Sequence, residues 1–169
     1  MIKQLAVTAL FTLTSVVQAS ADSVIDRAYD RAVEYLLTLD QYAEYSTQDL
    51  YIPVDVYSKE DLCTTYFGRE IDVDDCQVIA IYDRNQESIV VAESYVDKGP
   101  EFLQYVLVHE LVHHIQKISG KYDDYQCIAQ SEEEAYNVSN QYIDDKELPQ
   151  DFKPGRMFLA LVSKCSMDW

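Results

Sequence analysis

Histidine is scarce in this chain of 169 residues: there are three, and all of them, His109, His113 and His114, fall within one run, VLVHELVHHIQ. No fourth histidine exists to complete a metal site built on imidazoles alone. Basic residues are also few. Thirteen Lys and Arg stand against 30 Asp and Glu, a formal charge of −17, and such a chain is repelled by phosphate backbones, which excludes nucleic acid as a partner. The four cysteines contain no C-x-x-C pair, which argues against a thiolate zinc site. Beyond the N-terminus, the apolar run Met157 to Val162 falls far short of the roughly 20 residues that cross a bilayer. Internal repeats, low-complexity stretches and linkers are lacking too, so the length points to a single domain with a real core.

The first residues read as a secretory signal. Met1 to Lys3 is a short positive start, Leu5 to Val17 is mostly apolar, and Ala19-Ser20-Ala21 supplies small residues before a cleavage point. We expect residues 1–21 to be removed, leaving one domain over 22–169, exported to a periplasm or secreted and not held in a membrane. In that compartment an even number of cysteines means disulfides. Four cysteines allow three connectivities; the favoured one pairs Cys63 with Cys76, closing a local loop, and Cys127 with Cys165, tying down the end of the chain. The acidic excess would attract a basic substrate, though a soluble acidic surface is explanation enough.

Hydrophobic periodicity places a helix over residues 23–45, with Val24, Ala28, Val33, Tyr35, Leu36 and Leu39 on one side. Leu50 to Val56, Val78 to Tyr82 and Ser88 to Ala92 are rich in β-branched and aromatic residues and read as strands. The last two are joined by Asp83-Arg84-Asn85-Gln86, a hairpin turn. Gly99-Pro100 then starts the histidine helix and Gly120 ends it. Further helices are predicted over 126–145 and, after Pro154-Gly155, from about Arg156 to Cys165. A helix, three strands and then three helices make an α+β fold.

The histidine run contains H-E-x-x-H. Two imidazoles four positions apart on a helix lie about 40° apart around the axis and roughly 6 Å along it, so His109 and His113 can face one ion. Glu110 lies beside them. Apolar residues surround this helix on nearly every side, and burying a carboxylate and two imidazoles without partners costs several kcal/mol; a bound cation removes that cost. His114 points away from the His109–His113 stripe, so a packing role suits it better. A catalytic zinc needs a third protein ligand and an open position. The longer pattern H-E-x-x-H-x-x-G-x-x-H fails, because Gln116 and Ser119 replace its Gly and last His. The third ligand is therefore sought among Glu132, Glu133 and Glu134. Around Glu132, positions i±3 and i±4 are Ile128, Ala129, Ala135 and Tyr136, which turn it inward. Glu133 and Glu134 have more polar neighbours and read as a solvated acidic run.

HELVHHIQ followed on the next helix by Glu132-Glu133-Glu134-Ala135, an E-x-x-A form, resembles the gluzincin group of zinc metallopeptidases, and the hairpin before the helix resembles the sheet of its small, single-domain members. The similarity covers about residues 76–145. It implies a zincin-like domain: N-terminal helix, small three-stranded sheet, H-E-x-x-H helix, ligand helix and C-terminal helix. It also implies a zinc peptidase with His109, His113 and Glu132 as ligands and Glu110 as general base. Tyr136 stands where many relatives carry an acid after the alanine, so the support of a ligand histidine is left open.

In such an enzyme zinc brings the pKa of water toward neutrality, and Glu110 takes the proton as water attacks a peptide carbonyl. The developing oxyanion needs a further donor, for which Tyr122, Tyr125, Tyr136 and, less readily, His114 are the nearby candidates. The expected partner is a peptide or protein substrate met by a monomer, with the extended peptide pairing to Ser88–Ala92 if that strand is a sheet edge. Two other readings compete: a non-catalytic zinc-binding module, and an exported inhibitor or interaction protein on a peptidase-like fold.

Overall fold

The computed structural model describes residues 24–153. The expected signal segment, the expected C-terminal helix and the Cys165 half of the second cysteine pair lie outside the described residues. Within them the fold is α+β: five helices and one small mixed sheet.

Helix α1 covers residues 24–36. Its Ile25, Ala28, Tyr29, Ala32, Val33 and Leu36 are buried at the three- and four-residue spacing of one helical face. The helix ends nine residues before the expected position 45. Thr38 Oγ1 donates to the Tyr35 carbonyl at 2.6 Å, and Leu39 takes extended backbone (φ −84°, ψ 126°) before a 3₁₀ turn over Asp40–Tyr42. A side chain that occupies a late helical carbonyl competes with helix continuation.

The first strand also starts later than expected. Tyr29 explains why: its hydroxyl donates to the Leu50 carbonyl and accepts the Ile52 N–H at 2.9 Å. Helix α1 thus uses the polar groups of residues 50–52, and strand β1 runs only over Val54–Tyr57. Helix α2, Lys59–Phe67, adds an element to those expected; Ser58 caps it by accepting the Asp61 N–H at 3.1 Å, and Gly68 closes it in the left-handed conformation at φ 64°. Cys63 of α2 is bonded to Cys76, as expected.

Strands β2 (Ala80–Asp83) and β3 (Ser88–Ala92) form the predicted hairpin. Its turn is held by Asp83, whose carboxylate accepts the N–H groups of Asn85 and Gln86 at 2.8 and 3.1 Å. The strand order is β1-β3-β2, with β1 parallel and β2 antiparallel to β3. Ser88–Ala92 is therefore the central strand, paired on both sides, and cannot take an added peptide strand. Its side chains alternate between two cores. Ile89 and Val91 join the main core with α1, α4 and α5, while Val90 and Ala92 join Leu62 of α2 in a small second cluster.

A short helix α3, Glu93–Val96, leads to Gly99 and Pro100, which begin helix α4, Pro100–Ile118. From Leu103 to Gln116 every residue of α4 is buried. Helix α5, Ile128–Asp145, packs along it through Ser131, Ala135, Val138, Ser139, Tyr142 and Ile143. No helix among the described residues is long and apolar enough to cross a membrane.

Candidate metal centre

Helix α4 presents His109 and His113 one turn apart, and α5 brings Glu132 to meet them. Nε2 of His109 lies 3.2 Å from Nε2 of His113. One Glu132 oxygen is 3.3 Å from the first and the other is 3.3 Å from the second. These three side chains form a group able to hold a metal ion. The spacing fits that purpose, because donors about 2.0–2.1 Å from a tetrahedral zinc are separated from each other by roughly 3.3 Å. Two imidazole nitrogens this close have at most one proton to share between them, so a cation between them also suits their lone pairs.

The charges of the group answer one another. Burial works against ionised Glu132, yet hydrogen bonds and charge from His109 and His113 hold its carboxyl well below the usual range. Burial also opposes a charged His113, but Glu132 outweighs it and, with Glu110 and Gln116, pushes that imidazole up to about 9. The site favours positive charge among its ligands, which a proton or a metal ion supplies.

Glu110 is buried beside the three. Burial raises its pKa; the two histidines pull it down, Glu132 pushes it up, and a hydrogen bond with the Tyr82 backbone steadies the charged form. Strand β2 thereby touches the carboxylate directly. The Tyr82 side chain acts separately from its backbone. Its hydroxyl donates to Nδ1 of His114 at 3.0 Å, and Nε2–H of His114 donates to the Asp49 carbonyl at 2.9 Å. His114 thus has both nitrogens engaged in joining α4 to β2 and to the loop before β1, and is taken up as a packing residue.

The other tyrosine candidates divide. The ring of Tyr136 packs against His109 with centroids 4.3 Å apart. Its hydroxyl is pushed far up by burial and by the charge of Glu132. Tyr122 is likewise raised by burial and feels both Glu132 and Glu110, with the Arg84 guanidinium 4.9 Å over its ring. Tyr125 instead donates to Glu134 at 2.8 Å. Sequence reasoning did not single out Tyr66, a largely exposed residue of α2 whose pKa is raised by partial desolvation and by the charges of Glu132 and Glu110. Helix α2 has no apolar stripe that would have drawn attention to it.

Glu134 corrects the expectation of a solvated acidic run. Its carboxylate accepts from Lys121 Nζ at 2.7 Å, Tyr125 Oη at 2.8 Å, Tyr42 Oη at 3.1 Å and Gln116 Nε2 at 3.1 Å. Burial raises its pKa, but these donors win and hold it below the usual range. Glu133 is exposed, as expected. Gln116, which broke the longer histidine motif, is fully buried and bonds Nδ1 of His113 at 2.9 Å.

A family model described as a domain of unknown function (DUF6647) matches residues 28–168, most of the chain. The chain belongs to that family. No curated protein and no solved structure matches it.

Proposed function

We propose that this member of the family is an exported zinc-dependent peptidase of gluzincin type. The observation that carries the reading is the convergence of His109, His113 and Glu132 from two helices, with Glu110 buried next to them. His109, His113 and Glu132 would hold zinc, leaving the fourth position open. Zinc is inferred from ligand type, and two nitrogens and a carboxylate would also hold other transition metals. When bound, zinc supplies the positive charge that acidifies water and polarises a peptide carbonyl.

Glu110 acts as the general base. Its burial raises its proton affinity, which suits a group that must take a proton from water and then return it to the leaving amine. The Tyr82 backbone holds the carboxylate in place. Tyr122, Tyr136 and Tyr66, which share the field of Glu132 and Glu110, are the groups to examine as oxyanion donors. The Cys63–Cys76 bond agrees with an oxidising compartment.

The test is hydrolysis of a quenched fluorescent peptide library by the zinc-loaded mature chain and by its Glu110→Gln variant. Cleavage by the parent and its loss in the variant, with zinc content equal in both, is the expected result. A parent that is fully loaded yet cleaves nothing would instead favour the non-catalytic zinc-binding module.

A further inference from the structure

We propose that Gln116 is a positioning residue that decides which nitrogen His113 turns toward the metal, and that Glu134 and the Ser131 carbonyl fix Gln116 in that role. The proposal rests on the metal-centre reading given above.

The constraint is one of donors and acceptors. The Gln116 side-chain amide has an oxygen end, which only accepts, and an NH₂ end, which only donates. One end lies 2.9 Å from the Ser131 carbonyl oxygen and 3.1 Å from a Glu134 carboxylate oxygen. Both of those are acceptors, so the end facing them is the NH₂. The oxygen end then faces Nδ1 of His113 at 2.9 Å and can only receive a proton from it. Nδ1 must therefore carry the hydrogen, and the neutral ring presents its lone pair at Nε2, the nitrogen aimed at His109 and Glu132.

Gln116 is 0% exposed, so water cannot stand in for it. Three further donors, Tyr42, Lys121 and Tyr125, keep Glu134 in place at the far end of the relay. The relay also crosses from α4 to α5, the helix that supplies Glu132, so it ties the ligand helices together at the level of the site. His109 is held differently. Its Nδ1 is buried with no hydrogen-bond partner among the described residues, and its ring rests against Tyr136. The effect of breaking the relay should therefore fall on His113.

The experiment measures zinc affinity by chelator competition for the mature chain and for Gln116→Met, which fills a similar volume with only a weak thioether acceptor and no donor. It is paired with proton–nitrogen NMR of the zinc-loaded histidine rings and with thermal unfolding. Loss of one such supporting bond typically weakens metal binding about 10- to 100-fold. We expect a loss in that range, with the His113 Nδ1–H signal shifted upfield or broadened by exchange in the variant and cooperative unfolding retained. Equal affinity and an unchanged Nδ1–H signal would overturn the proposal while leaving the metal centre standing. A parent that binds no zinc would overturn the metal centre and the relay together. If the methionine variant does not fold, Gln116→Asn is measured instead; its amide is one methylene too short to span both helices. The same loss supports the relay, and parental affinity overturns it.

Discussion

The two faces of the small sheet are stabilised in different ways. On one face Ile89 and Val91 belong to the main core, and α4 lies against the sheet with six polar residues in its buried stretch, Gln104, His109, Glu110, His113, His114 and Gln116. On the other face, among the described residues, Val90 and Ala92 meet little more than Leu62 of α2, with Val78, Ile81 and Tyr95 partly buried around them. Burying Leu62 and Val90 contributes on the order of 2 kcal/mol each. A disulfide closing a loop as short as Cys63–Cys76, 13 positions apart, contributes about 3 kcal/mol. The bond therefore rivals the apolar cluster it accompanies. A large core can hold a polar site at its centre, whereas a thin one needs a covalent staple.

The comparison is tested most sharply by Glu110→Gln. General bases contribute typically 10²- to 10⁴-fold, so peptide hydrolysis should fall by about that factor while zinc content and the unfolding midpoint stay near the parent's. That outcome would assign Glu110 to chemistry and not to packing. The second effect belongs to the opposite face. Replacing both Cys63 and Cys76 by Ser should lower stability by about 2–3 kcal/mol, read by urea titration, with zinc content unchanged. Loss of zinc in that double variant would show that the two faces are not separable.

Glu134→Ala addresses the boundary between structure and site. Its side chain is 24% exposed, so the loss of four charged hydrogen bonds is tempered by solvent; about 2 kcal/mol is expected, accompanied by weaker zinc binding through Gln116. The smallest effect should come from Tyr82→Phe, which removes the bond to His114 and nothing else that the side chain donates. A cost of about 1 kcal/mol in thermal or chemical unfolding is expected, with the backbone contact to Glu110 and the activity preserved.

Much of the site was legible because its logic is local. His109 and His113 share a helical stripe, and the neighbours of Glu132 three and four positions away already turn it inward, so the sequence points to the trio that the fold brings together. Glu134 failed the same reasoning for a physical reason. Its neighbours on α5 are mostly polar, but what buries it is Tyr42, Gln116, Lys121 and Tyr125, residues from other elements that no helical spacing can reveal. Gln116 looked like a defect in a longer motif and is instead hydrogen-bonded to Nδ1 of His113.

The fold shows the same division. The β2–β3 hairpin and the helices at Pro100–Ile118 and Ile128–Asp145 follow from turn residues and apolar periodicity. Helix α2 buries only Leu62 and Cys63, too few to make a pattern. The late start of β1 depends on Tyr29, more than 20 residues earlier in the chain. Such contacts between distant residues exist only once the chain has folded.

His109, His113 and Glu132 are read as the ligands of one metal ion. That assignment is tested most directly by elemental analysis of bound metal per chain for the mature protein beside its Glu132→Ala variant. One zinc is expected in the parent and clearly less in the variant. Equal zinc in both would place the third ligand elsewhere, and no metal in either would rule the site out.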